Sequence, residues 1–81
     1  MKKKGPDLRN KELIKLGNRI RQLRLEKGYS NYENFANDNE ISRSQYGRYE
    51  KGQSDIQFLT LLRIVRGLGM TMEEFFSEGF D

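Results

Sequence analysis

Seven of the eleven residues from Phe58 to Leu68 are apolar (Phe58, Leu59, Leu61, Leu62, Ile64, Val65 and Leu68), broken only by Thr60, Arg63, Arg66 and Gly67. Spread over a helix, that pattern leaves almost no polar face, so the segment is expected to be a central core helix, stopped by Gly69. The run is too short, and too interrupted by Thr60 and Arg63, to span a bilayer. A chain of 81 residues buries only about 60% of its unfolded surface, so it has room for one modest core.

The remaining segments read as amphipathic helices. Leu13, Leu16, Ile20 and Leu23 recur at steps of three and four, which predicts a helix beginning near Leu8 to Lys11 and ending at Lys27-Gly28. Ser30 and Glu33 have capping-box spacing, predicting a short second helix through Asn37 that buries Phe35 and Ala36. Asn37 to Glu40 is a polar break, and Ile41 points back to the core. Ser54 and Asp55 offer caps for the apolar helix, read as Gln57 to Leu68. Thr71 and Glu74 repeat the capping box before a last short helix with Phe75 and Phe76. No alternating strand pattern competes, so the fold class is all-α with five helices. Residues 1–7 (MKKKGPD) form a flexible basic arm, more a solubilising tail than a minor-groove reader, and residues 8–81 a single domain.

Ser42 to Gly52 (SRSQYGRYEKG) is the segment most suggestive of function. Ser42 is a good N-cap and Gly52 a good stop. Tyr46 and Tyr49 share a face that packs inward, while Arg43, Ser44, Gln45 and Arg48 lie largely outside that stripe. Arginines, a hydroxyl and an amide on a short capped helix are groups that hydrogen-bond base edges in a DNA major groove. Charge distribution agrees. Residues 1–27 hold ten basic and three acidic residues, whereas residues 28–81 hold five basic and nine acidic, so the first third suits a polyanion.

The chain contains no cysteine and no histidine, which excludes disulfide scaffolds, zinc sites built on those ligands and Ser-His-Asp catalysis. Glu73 and Glu74 are adjacent on a helix and do not converge, so no enzyme and no cofactor are expected. Gly5, Pro6 and Asp7 stand where a signal peptide would need an apolar stretch, giving a cytoplasmic expectation with no membrane partner.

From Gly17 to Phe76, about three quarters of the chain, residue order resembles the helix-turn-helix DNA-binding domains of the Cro and phage-repressor type, the XRE-like regulators. "LGNRIRQLR", "FA", "ISRSQYGRYEKG" and "LLRIVRGLGMTMEEFF" carry the resemblance, and "ISRS…YEKG" is its specific part. It implies a compact lambda-repressor-like domain whose second and third helices are the helix-turn-helix, the third lying in the major groove. On that resemblance Arg43, Ser44, Gln45 and Arg48 make base contacts. Asn31, Tyr32, Ser42 and Arg24 make phosphate contacts, helped by the amides at the start of helix two. Arg24 and Glu50 match the pair that joins helix one to helix three, a guanidinium's planar fork suiting a carboxylate. Glu40 stands where the turn usually has Gly. A left-handed Glu costs about 1 kcal/mol relative to Gly, so the turn is expected to be shaped differently. Ile56 replaces a frequent Pro without consequence.

The expected function is therefore a sequence-specific DNA-binding transcription regulator, a repressor acting on double-stranded DNA. It would bind as a homodimer on a palindromic site through the C-terminal apolar residues, Phe76 and Phe80 with Met70 and Met72. The alternative is the antitoxin, or another protein-interaction module, of a toxin–antitoxin pair that also binds DNA. No separate small-molecule ligand domain is expected.

Overall fold

The computed structural model describes residues 5–81, with side chains from Asn10 onward. Five helices follow one another: α1 (Gly5–Glu26), α2 (Tyr32–Asp38), α3 (Arg43–Glu50), α4 (Phe58–Gly67) and α5 (Met72–Phe76), with no strand among the described residues. The first helix starts three residues before Leu8, because Pro6 suits a first turn, where its missing N–H would have had no helical partner. Residues 5–7 are thus helical, and the rest of the expected arm, with Lys2 to Lys4, lies outside the described residues.

The core gathers Ile20 from α1, Phe35 and Ala36 from α2, Tyr46 from α3, Ile64 and Val65 from α4, and Phe75 from α5, all essentially inaccessible to water. Every helix contributes, so each is held by apolar burial more than by its own propensity, as short helices must be. Phe35 is the hub of an aromatic cluster, with ring centroids 5.2 Å from Tyr29 and 5.4 Å from Tyr46.

Helix α4 departs from expectation. Leu61, Ile64, Val65 and Leu68 are buried, but Phe58 and Leu59 are 64% and 72% exposed. It is a strongly amphipathic helix with an apolar first turn left in solvent, not one enclosed on all sides. Its N-cap is Gln57, with no side-chain cap hydrogen bond, so Ser54 and Asp55 do not open it as expected. The expected caps hold at Ser42, which accepts from the Gln45 amide, and at Thr71, whose capping box with Glu74 is complete. At α2 the cap is Asn31, one residue later than Ser30.

Four helices end in the same way. The amide two residues past the cap returns to a carbonyl five residues earlier, as in Tyr29 to Arg24, Ile41 to Ala36, Gln53 to Arg48 and Met70 to Val65. The residue between is left-handed in each case. It is glycine in three, and in α2 it is Glu40, at φ +59°. The turn therefore keeps the shape that glycine would give it, against the expectation of a different one. Hydrogen bonds from Ile41 N to Ala36 O (2.8 Å) and from Asn39 Nδ2 to Phe35 O (2.8 Å) hold it. The Asn39 side chain in turn packs against Gly67 of α4, where a Cβ would displace it.

Glu40→Gly is expected to stabilise the protein by about 1 kcal/mol, raising the melting midpoint by roughly 4–8 °C in a domain this small. Thermal melts check this, and an unchanged or lower midpoint would show that the left-handed glutamate costs nothing here.

Candidate nucleic-acid interface

Helix α3 is held by its inner face and by its C-terminal end. Tyr46 and Tyr49 are buried in the core. At the far end Arg24 of α1 grips Glu50 with two hydrogen bonds, Nε to Oε2 at 2.7 Å and Nη2 to Oε1 at 2.9 Å, and donates a third from Nη1 to the Tyr29 carbonyl at 2.6 Å. A two-pronged charged contact of this kind fixes orientation as well as distance. Hydrogen bonding to Glu50 holds the guanidinium's pKa above its usual value. Arg24 is only 4% exposed. The expected pairing with Glu50 is present, but Arg24 is not placed for the phosphate contact also expected of it, because its fork is turned inward.

The Tyr46 hydroxyl is enclosed beside this pair and meets no hydrogen-bond partner in acceptable geometry among the described residues. Burial, and then the Glu50 carboxylate, push its pKa well above the ordinary phenol range, while Arg24 acts the other way.

The N-terminal end of α3 stands free. Ser42, Arg43, Ser44 and Arg48 are exposed and Gln45 is half-buried. Ser44 and Arg48, four residues apart, share one face. Ser42 Oγ accepts from the Gln45 amide at 3.4 Å and lies 3.3 Å from Ser44 Oγ, so this hydroxyl is engaged in the cap. The first turns of α2 and α3 line a common shallow notch formed by Tyr32, Glu33, Ser42, Arg43 and Ser44. That notch brings the expected phosphate-contacting Tyr32 next to the expected base-contacting Arg43 and Ser44.

Two details of α2 were not anticipated. Asn31 Oδ1 accepts from the Glu33 and Asn34 amides at 2.7 and 3.3 Å, so the amides expected to meet a phosphate already have a partner. Glu33 also lines the notch and repels a phosphate, which leaves Arg43 to supply the attraction. Tyr32 is half-buried, its ring 6.1 Å from that of Tyr46 and its hydroxyl close over Gly47.

Phe80 lies back on its own core rather than projecting, with ring centroids 6.1 Å from Phe75 and 4.9 Å from Phe76. Arg19 was not singled out in the sequence. It is 6% exposed, donates to the Phe75 carbonyl at 2.8 Å and to the Glu74 carbonyl at 3.1 Å, and lies over the Phe75 ring. It thereby satisfies the C-terminal carbonyls of α5 from α1. Its only sequence signal is its place next to Ile20 on the buried side of an amphipathic helix.

A family model described as helix-turn-helix matches residues 20–75. Control protein C.MunI from a Mycoplasma species is 35% identical over 65 residues, 80% of this chain and 88% of that protein. The crystal structure of the restriction-modification controller protein C.AhdI from Aeromonas hydrophila superimposes with a TM-score of 0.73 at 32% identity, over 82% of this chain and 98% of that one.

Tyr46→Phe removes the enclosed hydroxyl and is expected to raise stability at pH 7 by about 1 kcal/mol. Burial holds the folded phenol above the ordinary phenol pKa of 10.0, so the unfolded chain ionises first and the parent loses further stability as pH rises past that value. Urea titrations at neutral and alkaline pH should show the parent losing more stability than the variant. A variant less stable at pH 7 would show that the hydroxyl has a partner.

Proposed function

Because the chain belongs to the helix-turn-helix family, we propose that it is a sequence-specific DNA-binding regulator that reads the major groove with α3. The observation that carries this is the polarity of α3. Its aromatic face and C-terminal end are locked to the core and to α1, while Arg43, Ser44 and Arg48 are left in solvent beside the first turn of α2. Arg43 and Arg48 offer bidentate donors that suit guanine, and Ser44 and Gln45 complete the reading set. Ser42, Asn31 and Tyr32 border it as backbone contacts, and basic residues of α1 add salt-dependent attraction.

Regulation is by occupancy, as a repressor in the cytoplasm, and no catalytic step is involved. Both relatives are named as control or controller proteins, which favours this reading over an antitoxin. The C.AhdI match makes the genes of a restriction-modification system the expected target.

The protein acts as a homodimer on a palindromic site, since one short helix reaches too few bases for useful specificity. A two-fold axis places two reading helices about 34 Å apart, on successive turns of one side of the duplex. Of the C-terminal apolar residues first considered, Met70, Met72 and Phe80 pack against their own core, and only Phe76 is exposed. The uncharged, exposed Phe58 and Leu59 supply a better self-facing patch, because a two-fold contact sets a surface against its own copy and like charges would repel.

Arg43→Ala should cost about 1–3 kcal/mol on the cognate duplex and relax preference at one base pair. Selection from random duplexes that returns the same motif for variant and parent would refute the base-reading role. Leu59→Glu should convert the dimer to a monomer in sedimentation and weaken binding to the full palindrome far more than to a half-site. A variant that still sediments as a dimer would place the contact elsewhere.

A further inference from the structure

Arg24 is not the only link between α1 and the C-terminal end of α3. Ile14, Gly17 and Arg24, at steps of three and seven, fall on one stripe of α1. That stripe meets Gly52, the last carbonyls of α3 and the Glu50 carboxylate in turn. A Cβ on Gly17 would lie 2.5 Å from the Tyr49 carbonyl oxygen, 2.6 Å from that of Glu50 and 2.8 Å from the Glu50 carbonyl carbon. All three are main-chain atoms, so no side-chain rotation relieves the clash. The same holds one turn earlier, where a Cβ on Gly52 would lie 2.8 Å from Ile14 Cα, at a φ of +71°.

We infer that Gly17 and Gly52 form a seat without Cβ atoms that sets how closely α3 lies against α1, and that they are positioning residues for base reading. This deepens the DNA-reading function proposed above and rests on it. Adding one methyl at Gly17 forces the end of α3 away by roughly 1 Å before ordinary contact is restored. The helix spans only about 12 Å at 1.5 Å per residue, and its other end is unrestrained by α1, so the displacement reaches Arg43 and Ser44. Hydrogen bonds to base edges hold over about 2.7–3.2 Å and do not survive such a shift. Phosphate attraction from flexible cationic side chains does survive it. The seat therefore governs discrimination between sequences and leaves general attraction to DNA alone.

The test compares the parent with Gly17→Ala, Gly52→Asn and Gly69→Ala. Asn tolerates the left-handed backbone, so Gly52→Asn isolates the contact with Ile14 from backbone strain. Gly69 is also left-handed, at φ +76°, but among the described residues a Cβ there would meet only the Lys27 ammonium, at 3.7 Å, so Gly69→Ala destabilises the fold without touching the seat. Affinities for the duplex selected by the parent and for an unrelated duplex are measured at several salt concentrations, below each variant's melting midpoint. Gly17→Ala and Gly52→Asn should lose at least tenfold in the ratio of selected to unrelated affinity, with an unchanged salt slope. Gly69→Ala should melt at a lower temperature with the parent's ratio.

If Gly17→Ala does not fold, Gly52→Asn decides. Folded seat variants with the parent's ratio would overturn the inference, as would an equal fall in Gly69→Ala. A parent that selects no duplex at all would overturn the proposed function and this inference together.

Discussion

The fork of Arg24 on Glu50 organises this small protein, because it fixes the C-terminal end of α3 to the longest helix while the side chains of Arg43, Ser44 and Arg48 stay in solvent. Both side chains are almost fully withdrawn from water, at 5% and 7% exposure. A buried pair of this kind adds little net stability compared with apolar packing, yet removing one partner leaves an uncompensated charge and is strongly destabilising. Its value here is geometric. The planar guanidinium also holds the Tyr29 carbonyl in the connection between α1 and α2, so one side chain of α1 ties that connection to the end of α3.

Around that tie, the molecule separates a reading edge from a supporting body. Helix α1 meets α3 through Gly17 and Arg24, and meets α5 through Arg19, whose guanidinium takes the last carbonyls of the short C-terminal helix. Polar groups on the body are thus spent on one another. Those of Arg43 and Arg48 face solvent, and exposed arginines at the end of a helix anchored to the core are suited to a partner that supplies acceptors. The exposed Phe58 and Leu59 have a matching logic for an apolar partner, since two large adjacent side chains in water are costly unless covered.

Much of this was legible in the residues. Helix number and order followed from apolar spacing and caps, and the Tyr46–Tyr49 stripe correctly marked the inner face of α3. Arg24 and Glu50 were placed by resemblance, because residues 26 positions apart have no local pattern that pairs them. What local pattern could not show was determined by tertiary contact. Phe58 and Leu59 read as core because hydrophobicity alone cannot tell a buried first turn from one awaiting a partner. The Ser30 cap gave way to Asn31, whose single side-chain oxygen accepts from both the Glu33 and Asn34 amides. Glu40 accepts a left-handed conformation because the turn is held from both sides, by Asn39 on the Phe35 carbonyl and by Gly67 against Asn39. Gly17 carried no sequence signal for its role, because a missing Cβ shows its purpose only when the opposing backbone is known.

Backbone amide shifts of the labelled protein, titrated with a duplex it selects, locate the contact surface on the molecule itself. If α3 enters the groove, the largest changes fall at residues 42–48, with a second group at residues 31–33, while α5 stays unmoved. Changes centred on α4 and α5, with residues 42–48 silent, would show that the exposed end of α3 is not where this protein meets DNA.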